Sequence, residues 1–212
     1  MNINMIASGS KGNAFQITRG DEVIQIDCGV KTTKPDHLLI THKHKDHSLY
    51  FNDMIMAKVK WWAPIDVAQS LLEGFILADQ AWELYERPKG IEHFKVDHDV
   101  PCSGFVIEHE HERYCHITDG TPTEIKPLMN DCAYYGIESN YDTEMLRESK
   151  IGSYLKSRIE RTHMSNDQAI ALAEQLAGEH TKEVRFIHMS RERNSVEIAK
   201  MAHVDSELER KY

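Results

Sequence analysis

The 212-residue sequence predicts an α/β fold, and three features carry that reading. Short apolar runs stop abruptly at polar clusters, the pattern of buried strands emptying into loops. Stretches with helix start and stop signals lie between them, such as Pro64 and the Ser165–Gln168 capping box closed by Gly178. The length suits one domain with a sizeable core or a two-layer sandwich, and residues 1–212 are taken as a single domain.

Asn2 to Ala7 reads as a strand, Ser8-Gly9-Ser10-Lys11-Gly12-Asn13 as a turn, and Ala14 to Thr18 and Val23 to Asp27 as a meander. The backbone N–H groups of that turn could face an anion. Val30 to Asp36 is a short connector holding Pro35. His37 begins the strand that runs through Leu38-Leu39-Ile40. Leu49 to Lys58 is expected to be helical, Trp61 to Ala63 a short strand, and Pro64 to about Ile76 a helix. Ile91 to Val96 is the next strand. Gly104 to Glu108 and Arg113 to Thr118 form a hairpin ending at Asp119-Gly120. Ala133 to Ser139 is a buried strand, and Met145 to Arg161 is helical with a break at Gly152. A helix from Ser165 to Ala177, a strand from Glu183 to Ile187 and a polar helix from Ser195 onward complete the chain.

Composition narrows the function. No apolar run approaches a membrane span, and the Met1-Asn2-Ile3-Asn4 start lacks the basic and apolar regions of an export signal. Cys28, Cys102, Cys115 and Cys132 are scattered, so free thiols in a reducing cytoplasm are expected. The net charge of −9 is not the footprint of a nucleic-acid binder. Two divalent ions would nevertheless offset much of the charge at a site.

The stretch Thr41-His42-Lys43-His44-Lys45-Asp46-His47 is the most informative. It places three imidazoles and a carboxylate directly after a buried strand, and these are donors that Zn, Mn and Fe accept. His42 and His44 alternate, so both can point one way from an extended segment. Asp46 and His47 are adjacent and must point elsewhere, towards a second ion. Most other histidines read as bystanders. His109 and His111 flank an exposed turn, His93 and His116 lie within strands, His37 is a strand-edge residue, and His180 and His203 have no ligand context. Trp61 and Trp62 are read as core rather than as base-stacking platforms. Lys150, Lys156, Arg158 and Arg161 are read first as a solvated helix face and second as a phosphate contact.

His-x-His-x-Asp-His after a strand is the signature of the metallo-β-lactamase fold superfamily, which this chain resembles. The turn Ser8 to Asn13 resembles its YycJ/WalJ-like branch, as do Glu138-Ser139-Asn140-Tyr141-Asp142 and Thr162-His163-Met164-Ser165-Asn166. Two positions depart from that branch: Tyr141 replaces a His and Thr162 a Gly. The resemblance implies an αβ/βα sandwich of two mixed sheets with helices outside, without the inserted cap domain of larger nucleases.

It also implies a two-metal site. His42, His44 and His98 would hold one ion, and Asp46, His47 and His188 the other, with Asp119 bridging. Asp27 would orient a ligand histidine from behind. Asp46 and His163 are the implied catalytic residues, His163 assisting the leaving group. Ser190, Arg191, Asn194 and Asn140 are the implied substrate contacts. The implied activity is a cytoplasmic, dinuclear phosphodiesterase, a DNA exonuclease acting through a metal-activated hydroxide. The ions would be Zn or Mn, with Fe allowed, and the partner nucleic acid, DNA before RNA. Rival readings are a hydrolase of a small ester, thioester, lactone or cyclic phosphodiester, and a non-enzymatic metal-bound module.

Overall fold

Residues 1–73 and 86–198 are described by the computed structural model. Alternating burial along the strands gives two sheets with an apolar layer between them. The first has the order β1 (Asn2–Ala7), β2 (Ala14–Arg19), β3 (Glu22–Ile26), β4 (His37–Leu39), β5 (Lys60–Trp62). Its first three strands are antiparallel and its last three parallel.

The second sheet is built from β6 (Ile91–Asp97), β7 (Cys102–His109), β8 (Glu112–Ile117), β9 (Thr121–Pro122), β10 (Tyr134–Glu138) and β11 (Glu183–Ile187). Their spatial order is β11-β10-β8-β7-β6-β9. β11, β10 and β8 run parallel, and the remaining neighbours are antiparallel. Both sheets are therefore mixed, as the αβ/βα sandwich requires.

Three apolar layers hold the sheets and helices together. Phe15, Ile17, Ile24 and Ile26 of the first sheet meet Phe105, Ile107, Tyr114 and Ile187 of the second. Outside the first sheet, Leu38, Ile40 and Trp61 pack on α2 (Phe51–Met56) and α3 (Ile65–Leu72). Outside the second, Val106, Ile117 and Ile137 pack on Leu172, Ala173 and Leu176 of α6 (Asn166–Leu176). Helices thus cover both outer faces, which removes the remaining apolar surface from water.

The expected helix Leu49 to Lys58 differs in the structure. It starts four residues earlier and is split into α1 (Lys45–Ser48) and α2. The N–H groups of Ser48 and Leu49 donate back to the carbonyls of His44 and Lys45. The first turn therefore lies inside the metal motif, where polar side chains give no apolar period to mark it. α4 (Thr143–Glu148) and α5 (Ser153–Thr162) are separated at Gly152, and the Ser165–Gln168 capping box opens α6. The expected helix end near Ile76 and most of the polar tail, with His203, lie outside the described residues.

Trp61 is buried edge-to-face on Phe51, and Trp62 packs on His93 and Phe105, so both serve the core. His116 is also packed inside. It lies against Phe15 and hydrogen-bonds the Tyr114 hydroxyl at 2.8 Å, and burial pushes its imidazole down to about 3. No disulfide links the four cysteines, all of them buried. No helix among the described residues is long and apolar enough to cross a membrane.

Phe105 sits at the centre of the layer between the sheets and is 0% exposed. Phe105→Ala should cost about 3–5 kcal/mol, read from the midpoint of urea unfolding. A loss below about 1 kcal/mol would contradict a shared core.

Candidate active site

The polar residues singled out in the sequence converge where strands of both sheets end. Asp27 follows β3, Thr41 to His44 follow β4, Asp119 follows β8 and His188 follows β11. Asp27, Asp119 and His188 have φ of 60°, 54° and 56°, a left-handed conformation costing about 1–3 kcal/mol at a non-glycine residue. Each turns the chain sharply at a strand end. Hydrogen bonds around Asp27 and His188 hold two of these turns. Asp27 accepts from Thr41 N at 2.8 Å, and His188 N donates to Ser8 Oγ at 2.6 Å.

The imidazoles are held from behind by oxygen atoms. His47 Nδ1 lies 2.6 Å from Asp27 Oδ2, and His188 Nδ1 lies 2.7 Å from Glu138 Oε1. His98 Nδ1 is 3.1 Å from the Thr162 carbonyl, and His44 Nε2 is 3.3 Å from Asp99 Oδ1. The Thr41 hydroxyl donates to Asp27, so it accepts from His42 Nδ1, at 3.0 Å. A ring that gives its proton to the oxygen behind it can turn its opposite nitrogen inward, where His47 Nε2 lies 3.1 Å from Asp119 Oδ2 and His98 Nε2 lies 3.3 Å from Asp99 Oδ1.

The inward nitrogens converge. His98 Nε2 and His44 Nδ1 are 3.2 Å apart, and His42 Nε2 and His188 Nε2 are buried with no hydrogen-bond partner among the described residues. Donor atoms of His42, His44 and His98 lie within 4.8 Å of one another, as do those of Asp46, His47 and His188. Asp119 lies by both groups. It joins His42 and His47 in one cluster, and its Oδ1 is 3.7 Å from His188 Nδ1. Lone pairs facing each other in a buried site repel unless a cation lies between them. Histidines backed by carboxylates are how proteins present nitrogen to a metal. The donors therefore fit divalent ions, which could be held by His42, His44 and His98 and by Asp46, His47 and His188.

Charge supports the same fit. Asp27, Asp119 and Glu138 are all buried beside the half-buried Asp46. Burial opposes the Asp119 charge, yet His188 and His47 hold its carboxyl well below the usual range. Burial also opposes charge on His47, but Asp119 and Asp27 hold that imidazole well above its ordinary value. His42 is pushed well down by burial and by His47. Carboxylates gathered in this way need compensating positive charge, which metal ions on these rings would supply.

His163 joins Asp119, Glu138 and His188 in a further group whose donor atoms lie within 4.8 Å of one another. It is the C-terminal cap of α5, and its Nδ1 lies 2.8 Å from Glu138 Oε1. Burial lowers the affinity of His163 for a proton, but Glu138 and Asp119 outweigh it and raise the imidazole above its ordinary value. Glu138 Oε2 accepts from Gly120 N and Met164 N, so this buried carboxylate fixes His163, His188 and the turn after Asp119 together. From the sequence, Glu138 belongs to a strand end and to a segment resembling the YycJ/WalJ-like branch, with no role of its own. A carboxylate finishing an otherwise apolar strand is the signal that could have found it.

Asn13 and Thr41 carry no role of their own in the sequence reading, and Arg158 takes one other than the solvated face or phosphate contact expected of it. Asn13 is buried, with Nδ2 2.9 Å from His47 Nε2 and its backbone N–H donating to Asp46 O. Thr41 links Asp27 to His42. Arg158 Nε donates to Asp99 at 3.0 Å, tying α5 to the loop that carries His98.

The four expected substrate contacts separate. Arg191 is exposed and Ser190 half-buried at the rim. Asn194 is 5% exposed, and its amide is engaged with Ser139 O and Asn166, so it fastens the loop from inside and has no free group for a phosphate. Asn140 is likewise turned inward, donating to His188 O at 2.9 Å.

Fold and donor cluster together define a metal-dependent hydrolase. Residues 28–189 match the family described as "Beta-lactamase superfamily domain", and the chain belongs to it. It is 26% identical to "Exodeoxyribonuclease WalJ" of Streptococcus pneumoniae, over 95% of this chain and 86% of that protein. It is 27% identical to "Exodeoxyribonuclease YycJ" of Bacillus anthracis, over 100% of this chain and 90% of that one. Among solved structures it is similar to the metallo-β-lactamase fold protein YhfI of Bacillus subtilis. That match has a TM-score of 0.68 at 15% identity and covers 95% of this chain and 91% of that one. The short form of human tRNase Z gives a TM-score of 0.66 at 13% identity, over 90% and 93%.

Two substitutions test how the site is held. A Cβ on Gly29 would overlap the carbonyl of Asp46, so Gly29→Ala must displace α1 and with it Asp46 and His47. Metal content of that variant, measured by elemental analysis, should fall well below wild type. Asp27→Asn should weaken metal affinity about 10–100-fold in chelator competition while the protein stays folded. Unchanged affinity would remove Asp27 from any part in holding His47.

Proposed function

We propose that the protein is a dinuclear phosphodiesterase that removes nucleotides from DNA ends. The convergence of two donor groups on either side of Asp119, with His163 beside them, is the observation that carries this reading. The two exodeoxyribonuclease relatives support the choice of DNA. Scattered, unpaired cysteines suit a cytoplasmic setting.

In this proposal His42, His44 and His98 hold one ion, Asp46, His47 and His188 hold the other, and Asp119 bridges them. Zn, Mn and Fe all suit such donors. Bound there, the ions supply Lewis acidity for the phosphoryl oxygens and lower the pKa of a water from about 15.7 towards roughly 7.

The chain's own residues do the rest. Asp46 Oδ2 lies 3.5 Å from His47 Nε2 and 3.6 Å from His188 Nε2. Burial raises the Asp46 carboxyl, but His188 and His47 outweigh it and hold it below its ordinary value, so it stays ionised and can orient the attacking water. His163 turns Nδ1 to Glu138, which leaves Nε2 to give its proton to the departing sugar oxygen. Ser190 and Arg191 at the rim receive the phosphate of the strand.

Labelled single- and double-stranded DNA and RNA test the proposal with Mn or Zn present. Wild type should release nucleotides from DNA and Asp46→Ala should not. No release from any polymer would overturn the reading in favour of a small ester or cyclic phosphodiester.

His163→Ala should keep both metals and lose about 10²–10⁴-fold in turnover. Loss of metal in that variant would instead make His163 a ligand. Asp119→Ala should lower occupancy at both positions, and full metal content would sink the bridging role.

The Glu138 carboxylate raises the pKa of His163, so the acid form persists to higher pH and is lost as pH rises through that value. Glu138→Gln removes the anion, and the alkaline limb of the kcat/KM profile should move to lower pH. An unmoved limb would show that His163 is not the titrating acid.

A further inference from the structure

The lysines of the metal motif have no role in the chemistry above. Lys43 lies between His42 and His44, and Lys45 between His44 and Asp46. Consecutive Cα atoms are about 3.8 Å apart, so the backbone of both lysines adjoins that of the candidate ligands while their side chains leave the motif on its other side. They line a cavity of about 460 Å³ together with Ser48, Leu49, Ser70, Leu71 and Glu73. That volume falls within the roughly 300–1,000 Å³ of small-molecule sites.

Two properties of this cavity point to a nucleotide. Leu49 is 56% exposed on its wall, which suits the face of a base or sugar. Its cations are available. Lys45 makes no ion pair among the described residues. Lys43 Nζ has only the Glu73 carboxylate at 4.0 Å, itself 75% exposed. An exposed pair at that distance is weak and yields to a phosphate.

Two of the four cations in the competing basic stretch are already engaged. Arg158 is committed to Asp99, and Lys156 Nζ donates to the Arg147 carbonyl at 2.6 Å. A chain of net charge −9 repels a polyanion, so a strand needs local cations near the point of cleavage.

We infer that Lys43 and Lys45 form a subsite for the nucleotide flanking the scissile phosphate, its phosphate on the two ammonium groups and its base or sugar against Leu49. This deepens the proposed action on DNA and rests on it.

The test uses the purified metal-loaded protein, wild type and Lys43→Gln/Lys45→Gln, with Lys45→Glu as a second variant. Binding of a phosphorothioate oligodeoxynucleotide is followed by fluorescence anisotropy across a salt series. KM is measured on a matching single-stranded oligonucleotide, and metal content on every sample.

The double variant should bind about tenfold more weakly. Its dependence of log Kd on log salt should flatten by about 1.4, because each lysine that no longer neutralises a phosphate of a single strand removes ~0.7 from the slope. Metal content should stay at the wild-type level, and Lys45→Glu should weaken binding further than neutralisation of the same residue. Unchanged binding and slope would overturn the subsite while leaving the nuclease reading intact, provided wild type cleaves DNA. Weakened binding accompanied by a fall in metal content would assign the lysines to holding the motif and also overturn it. Failure of wild type to bind or cleave any nucleic acid would overturn the nuclease reading itself.

Discussion

Asp27 carries a carboxylate into a place with no access to water, where it accepts from the Thr41 amide, the Thr41 hydroxyl and His47 Nδ1. An anion there is tolerable only because those donors replace its hydration. The same three bonds set the position of the motif. They fix the start of the loop after β4, turn His47 so that Nε2 faces forward, and leave the Thr41 oxygen to orient His42. Glu138 repeats the arrangement from the other sheet, binding His163, His188 and the turn after Asp119. Each sheet therefore contributes one buried carboxylate that anchors histidines from behind.

This arrangement explains why the backbone departs from ordinary geometry where it does. A strand in regular extension would carry Asp27, Asp119 and His188 along the sheet, away from the cluster. The left-handed turn at each position redirects the side chain at once. Gly29 permits the matching close approach from the other side, its α-carbon facing the carbonyl of Asp46. The apolar layers on both faces of each sheet supply the stability that such local strain draws on.

The site also separates inward-facing histidines from one that faces solvent. His42, His44, His47, His98 and His188 each have one nitrogen engaged with oxygen from behind and the other turned into the cluster. His163 shares its buried partner Glu138 with His188, yet is 20% exposed where His188 is 3%. One carboxylate thus fixes a residue directed inward and a residue directed towards the solvent side, where a strand would approach.

The sequence by itself determined the elements and the candidate donors. Apolar runs ending in polar clusters marked most strands, the Ser165–Gln168 box marked α6, and His-x-His-x-Asp-His marked the centre of the site. These signals are local, since a strand, a cap and a spacing are each written within a few residues. What lay far apart in the chain was decided by the tertiary structure. Glu138 meets His163 and His188, Asn13 reaches His47, and Asp99 pairs with Arg158 because two sheets and α5 bring them together. The inward turn of Asn194 and Asn140 and the early start of α1 were equally invisible, because a polar side chain reads the same in one dimension whether it faces solvent or satisfies a buried backbone group.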